Sequence, residues 1–184
     1  MNKLYNSISF GRVMSDFPQW TDMLKRHKEQ NLFKDNNLIA PGLKWKDIKA
    51  DCANMSLHSK MNYVNQLWNK KRYVKDVINF RKADYWQTPY QFSRLGGDCE
   101  DYAIAKMLTL KELGVENDMR LLIVDTKQGN HAVLAIDEDD KTWILDNFTN
   151  KIVEHKDYDC KLLVSLTEDR AFAHIMPKQQ TAIA

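Results

Sequence analysis

Three residues that could together make a thiol hydrolase occur in order along the 184-residue chain: Cys99, His131 and Asp146. Cys99 follows the turn signal Gly96-Gly97-Asp98 and opens a run in which Ala103, Ile104, Met107, Leu108 and Leu113 recur at helical spacing before Gly114. A thiol at a helix start lies near the positive end of the helix dipole, which lowers its pKa and favours the nucleophilic thiolate. Such a nucleophile needs a base, and the base needs a third group to fix its tautomer. The β-rich runs His131–Ile136 and Thr142–Leu145 flank Asp137-Glu138-Asp139-Asp140, which reads as a hairpin turn. A hairpin symmetric about that turn sets His131 directly opposite Asp146, with Cβ atoms about 4.5–5.5 Å apart on one face.

Taken singly, the same residues have plainer roles. A cysteine at a helix start also serves as a small buried hydrophobe, and a histidine at a strand start as a half-exposed polar group. Cys52 and Cys160 have no matching His and Asp and read as structural. Three cysteines without a CxxC pair exclude a disulfide framework and a zinc site, and leave at least one thiol free. His27, His58, His155 and His174 show no metal-ligand spacing.

The elements that must position these residues are legible from period. Helices are predicted over Asp16–Gln30, Leu57–Lys71 and Cys99–Leu113, and strands over Met119–Asp125, His131–Ile136, Thr142–Leu145 and Lys151–Glu154. This order predicts an α+β fold in a single domain over 1–184, helical to about residue 114 and an antiparallel sheet from about 115 to 184. Gly and Pro number only 6 and 4 and mark element ends, so no linker is expected. The net charge of +2 gives no reason to expect nucleic acid or an anionic membrane as partner. No apolar run approaches a membrane span. The start of the chain has no visible secretory leader, so the expectation is either a cytoplasmic protein or a mature form whose leader is missing.

Asp98, Glu100 and Asp101 crowd Cys99 with carboxylates. Acids in a first helical turn are ordinary, yet negative charge beside a thiol disfavours its thiolate. A bound cation removes that conflict, and carboxylate oxygens suit calcium. The Asp137–Asp140 turn and Lys25-Arg26-His27-Lys28 read as a solvated hairpin tip and a solvated helix face.

The run Gly97-Asp98-Cys99-Glu100-Asp101-Tyr102-Ala103-Ile104-Ala105-Lys106, followed by Leu113-Gly114-Val115, His131-Ala132-Val133-Leu134 and Leu145-Asp146-Asn147, resembles the LapG-type bacterial transglutaminase-like cysteine proteinases. Upstream, Tyr73-Val74-Lys75-Asp76 and Asp84-Tyr85-Trp86-Gln87-Thr88-Pro89 share in the resemblance, which spans about Leu57 to Ile152. It implies a papain-like, transglutaminase-type core, with a nucleophile helix packed on an antiparallel sheet. It also implies a calcium-dependent endopeptidase in which Cys99 is nucleophile, His131 base and then acid, and Asp146 the orienting group. Asp98 and Glu100 would be the calcium residues, with Asp101 a further candidate. Members of that family are periplasmic, cut large surface adhesins near their N-terminal end, and are held inactive by an inner-membrane cyclic di-GMP receptor. The residues beyond Asp157 do not look like the family's C-terminal strand, and with the missing leader this keeps a cytoplasmic or phage-encoded peptidase acting on cell-wall peptides open. Two further alternatives are a transglutaminase-like acyl transferase and a non-catalytic binding module. For the oxyanion, the Cys99 main-chain N–H is one expected donor. Trp86 and Gln87 offer side-chain candidates for the second.

Overall fold

A computed structural model describes residues 3–176. Its centre is a seven-stranded antiparallel sheet built from β1 (Ile8–Arg12), β4 (Met119–Thr126), β5 (Gly129–Glu138), β6 (Lys141–Leu145), β7 (Val153–Glu154), β8 (Lys161–Leu166) and β9 (Ala171–Ile175). The spatial order is β1-β9-β8-β4-β5-β6-β7. A separate short hairpin pairs β2 (Leu38–Ala40) with β3 (Leu43–Lys44). The helices are α1 (Pro18–Glu29), α2 (Trp45–Cys52), α3 (Leu57–Asn69), α4 (Asp76–Phe80), α5 (Pro89–Leu95) and α6 (Cys99–Glu112). None of the described helices is long and apolar enough to cross a membrane.

Both faces of the central strands are covered, which is why β4 and β5 read as nearly continuous apolar runs rather than alternating ones. Leu121, Ala132, Leu134 and Ile136 join the main core under the helices, whereas Leu122, Val124, Val133, Ala135 and Ile144 form a second apolar layer on the opposite face. Between sheet and outer helices runs α6, buried at every position from Glu100 to Leu110. Apolar side chains at Tyr102–Ala105, Met107, Leu108 and Leu110 spread round the helix and suit this interior place, with Asp101, Lys106 and Thr109 as buried polar exceptions. The Trp68 indole N–H of α3 donates to Thr109 Oγ1 (2.9 Å), and Tyr102 Oη donates to Lys71 O (2.7 Å), tying α6 to its neighbours.

The structure corrects the sequence expectations in three places. The β5–β6 hairpin closes through two residues, Asp139-Asp140, with Asp139 at φ +54°, so Glu138 pairs with Lys141 and Leu134 with Leu145. That register is two residues from the one expected: Asp146 lies past the end of the ladder and diagonal to His131, not directly opposite. An offset of two keeps both side chains on one face. Second, Ile8–Arg12, from the part expected to be helical, forms the edge strand on β9, pairing Ile8 with Ile175. All five of its residues are exposed, and the Ile8-Ser9-Phe10 alternation is too short to announce a strand. Third, the chain beyond Asp157, inside the expected sheet region but with no strand bounds predicted, contributes two strands, β8 and β9. There His174 bridges Ser7 Oγ (Nδ1, 2.9 Å) and Ser165 Oγ (Nε2, 2.8 Å), and burial, with nearby Arg120, pushes its pKa down to about 4. Residues 177–184 of the expected sheet region lie outside the described residues.

Candidate active site

The start of α6 is fixed by close backbone approaches that exclude side chains. Gly96, at φ +71°, ends α5, and a Cβ there would meet Arg72 O at 2.4 Å. Gly97 pairs with Tyr73, and its carbonyl accepts the Val74 N–H (2.8 Å). Behind them Asp101 is wholly buried and accepts from three donors: Gln87 N (2.7 Å), Gln87 Nε2 (2.6 Å) and Asp98 N (3.2 Å). Gln87 Nε2 also donates to Gly96 O (2.9 Å), and the Trp86 indole donates to Asp84 Oδ1 (2.9 Å) while its ring packs on Trp20. Both side chains put forward as a second oxyanion donor are therefore engaged in holding the fold.

Cys99 is the first residue of α6 and half-buried. Because β6 stops at Leu145, opposite Leu134, the Gly129–Val133 stretch of β5 has no strand partner on that side among the described residues. The main-chain N–H of Ala132 faces the Cys99 sulfur there, and the thiol donates to Glu100 Oε2 at 3.3 Å. His131 Nε2 lies 2.8 Å from Asp146 Oδ1, with both residues buried. The ring of Phe148 stacks on His131 with centroids 4.4 Å apart and planes 6° from parallel, leaving Phe148 itself exposed. Asp146 Oδ1 also accepts the Phe148 N–H (3.0 Å), and Oδ2 accepts Tyr158 Oη (2.8 Å). Burial alone would raise the Asp146 pKa, but the bonds from His131, Phe148 and Tyr158 and the histidine's charge hold it below the usual carboxylate range. Thr126, Lys127, Gln128 and Asp159 complete an open cavity of about 310 Å³ beside this group.

The electrostatics around the sulfur run opposite to the dipole expectation. Burial pushes the Cys99 thiol up, and Glu100 and Asp98 add to it, while the Ala132 N–H opposes them. The carboxylates crowd one another as well. Glu100 is pushed up to about 10 by burial and by Asp98, and Asp76 to about 6 chiefly by burial.

The carboxylates that converge are Asp76, Asp98 and Glu100, each offering an oxygen within 4.8 Å of the others. Asp101 stands behind this group with its oxygens filled by Gln87 and the Asp98 N–H. Asp76, at the first position of α4, comes from a segment whose place beside α6 depends on the Tyr73–Gly97 pairing. Nothing local in the sequence marks it as a third ligand. Asp76 Oδ1 and Asp98 Oδ1 are buried and have no hydrogen-bond partner among the described residues, so the cluster has acceptor capacity that the protein's own donors do not fill. Oxygen donors in this number suit calcium.

Lys106, two helical turns beyond Cys99, is fully buried, and its Nζ has no hydrogen-bond partner among the described residues. Burial lowers its pKa from 10.5 to about 7, with the Asp146 charge opposing. The unfolded chain therefore binds more protons than the folded one between pH 7 and 10.5, and the penalty, full below pH 7, fades as pH rises through that window. Lys106→Met is expected to stabilise the fold by about 2 kcal/mol at pH 6, with the gain shrinking towards pH 10. Urea denaturation of both proteins at the two pH values measures it; a pH-independent difference would contradict the assignment.

Residues 34–176 match the family described as bacterial transglutaminase-like cysteine proteinases, so the match runs through the C-terminal strands. Among solved structures, Legionella pneumophila LapG is similar over 70% of this chain and 75% of its own, at 28% identity and a TM-score of 0.62. The calcium-bound form of that protein matches over 82% and 87% of the two chains, at 26% identity and a TM-score of 0.64. An EGTA-treated form gives 28% identity and a TM-score of 0.61 over 70% and 73%. No curated protein sequence matches the chain. The helix opened by Cys99, the antiparallel sheet it packs on and these likenesses lead to one conclusion: the chain belongs to the bacterial transglutaminase-like cysteine proteinases of the LapG type, a family of cysteine peptidases.

Proposed function

We propose that this cysteine peptidase is a calcium-dependent endopeptidase in which Cys99 is the nucleophile, His131 the general base and acid, and Asp146 the group that orients His131. The observation that carries this reading is the buried His131 Nε2–Asp146 Oδ1 bond of 2.8 Å on the strand whose Ala132 N–H meets the Cys99 sulfur. With Nε2 donating to Asp146, Nδ1 is the nitrogen that takes the thiol proton. The sulfur attacks the scissile carbonyl, and Nδ1 returns the proton to the departing amine, leaving a thioester on Cys99. His131 then draws a proton from water, the hydroxide oxygen replaces the sulfur on the acyl carbon, and the thiol is regenerated. Cys99 opens α6, so its N–H has no intrahelical acceptor and suits the oxyanion.

Asp98, Glu100 and Asp76 are the residues that would hold calcium, with Asp101 as the buttress that sets the loop. Bound there, the ion would offset the carboxylates that keep the thiol protonated. Family resemblance is what supports a periplasmic location, a large surface adhesin cut near its N-terminal end as substrate, and an inner-membrane cyclic di-GMP receptor as regulator.

Iodoacetamide alkylation against pH, with peptide mass mapping of Cys52, Cys99 and Cys160, tests this reading. In calcium Cys99 is expected to react well below the free-thiol pKa of about 8.5, and in chelator at least tenfold more slowly at pH 7, while the other two thiols respond to neither. Burial and the neighbouring Asp98 raise the Glu100 pKa, and a carboxyl coordinates a cation in its ionised form, so calcium binding is expected to release protons. Calorimetry in buffers of different ionisation enthalpy reads that release. Cys99 reactivity that is ordinary with and without calcium would defeat the proposal. Product mass separates hydrolysis, which adds water, from transamidation, which loses ammonia.

A further inference from the structure

Asp146 is gripped from several elements, and one grip comes from a residue outside the proposed triad. Its Oδ1 is shared by His131 Nε2 on β5 and by the Phe148 N–H, and its main-chain carbonyl accepts Asn69 Nδ2 of α3 (3.0 Å). Oδ2 has one protein donor among the described residues, the hydroxyl of Tyr158 at 2.8 Å. Tyr158 sits between β7 and β8, half-buried against the second apolar layer, and so reaches Asp146 from the segment that returns towards the far side of the sheet. The charged or titratable groups around Asp146 are His131 from β5, Tyr158 itself and, from α6, the buried Lys106. Tyr158 packs against the same apolar layer as Cys160, and burial first, then the Asp146 charge, raises its pKa.

A carboxylate's last torsion is broad and roughly two-fold, so it is set by its partners and not by a rotamer well. Two donors on one oxygen leave the plane free to swing about that oxygen; a donor on the second oxygen fixes it. Resting on the peptidase reading above, we propose that Tyr158 is a positioning residue for peptide hydrolysis, locking the Asp146 carboxylate in the plane that orients His131. Hydrogen bonds to an ionised acceptor are about twice as strong as neutral ones, and the hydroxyl also disperses the charge that Asp146 presents to the imidazole. Without it, Asp146 becomes a more basic and less fixed partner. His131 is then held more readily in its protonated form, which is useless as a base.

The test is Tyr158→Phe in the full chain with calcium, which keeps the ring in the apolar layer and removes only the hydroxyl. The expected result is a fall in kcat of about tenfold with KM changed less than twofold, the acid limb of kcat/KM moved to higher pH, and the melting temperature nearly unchanged. In parallel, NMR titration of His131 is expected to show a higher pKa in the variant; this readout needs no substrate. Should Tyr158→Phe fold poorly, Tyr158→Trp, which fills the layer and lacks the hydroxyl, is taken through the same titration. A raised KM with unaltered pH profile and His131 titration would make Tyr158 a wall of the substrate cleft and overturn the proposal. Lowered stability alone, with kcat and His131 unmoved, would do so too. The two readings fail separately: a wild-type protein that hydrolyses nothing, yet whose His131 shifts on losing the hydroxyl, would sink the peptidase reading and with it any role in hydrolysis, while the coupling through Asp146 would persist.

Discussion

Replacing Cys99 by alanine is expected to cut peptide hydrolysis by about 10⁵–10⁶-fold while leaving the fold intact. Groups acting as one catalytic unit lose nearly everything when one is removed, and further losses do not add. Cys99→Ala with His131→Ala should therefore be no slower than either alone, whereas additive losses would show that the two act separately. The hydrogen bond described for the sulfur is the one to Glu100 Oε2. Its removal frees Glu100 Oε2 from the thiol and leaves the three carboxylates in place, so calcium binding to Cys99→Ala should be retained. Initial rates on an extended polypeptide, beside melting curves, check the first part. A variant that keeps a tenth of the activity would mean that the nucleophile lies elsewhere.

Gly97→Ala is expected to do nearly as much harm by a different route. Its Cβ would lie 2.0 Å from Asp101 Oδ2, 2.6 Å from Gln87 Nε2 and 2.8 Å from Asp101 Cγ. A surface carboxylate could move aside, but this one is wholly buried and pinned by Gln87 and the Asp98 N–H, so either the loop or the pin must give. Overpacking of this severity costs about 3 kcal/mol, and the displaced loop carries Asp98 and Cys99. Stability, calcium affinity and hydrolysis should fall together. Gly11→Ala, where nothing lies within 4 Å of the new Cβ, is the control expected to be silent. Denaturant melts of both variants decide the matter, and a stable Gly97→Ala protein with normal calcium binding would show that Asp101 is not a rigid buttress.

Much of the site's framework is legible in the residues because its signals are local. Gly96-Gly97 marks the turn, and the apolar spacing after Cys99 marks a helix that begins and ends within a residue of expectation. The hairpin joining His131 to Asp146 is legible too, but its register is not. Four acidic residues look like one loop, whereas Glu138 extends the strand to donate no charge to the turn, pair with Lys141 and accept the Trp143 indole N–H. The thiol's electrostatics were equally out of reach, because the dipole follows from sequence position while the desolvation that outweighs it follows from packing. Asp76 and Tyr158 lie 22 residues before Asp98 and 12 after Asp146, and only tertiary contacts bring them to the site. The short helices α2 and α5 escape notice for another reason: eight and seven residues are too few to establish a period.

The edge strand β1 has a kinetic consequence. Its Ile8–Ile175 pair with β9, and the bond between Ser7 and His174, join residues 167 apart in sequence, the longest strand pairing among the described residues. Such closures pay their loop entropy before any contact rewards it, and proteins dominated by them fold slowly. The groups around Cys99 lie between Asp76 and Tyr158 and involve neither strand of that pair. They can assemble while the sheet is still open at its edge, and fraying of that edge later leaves them standing. The chain thus separates the part that is slow to finish from the part that does the chemistry.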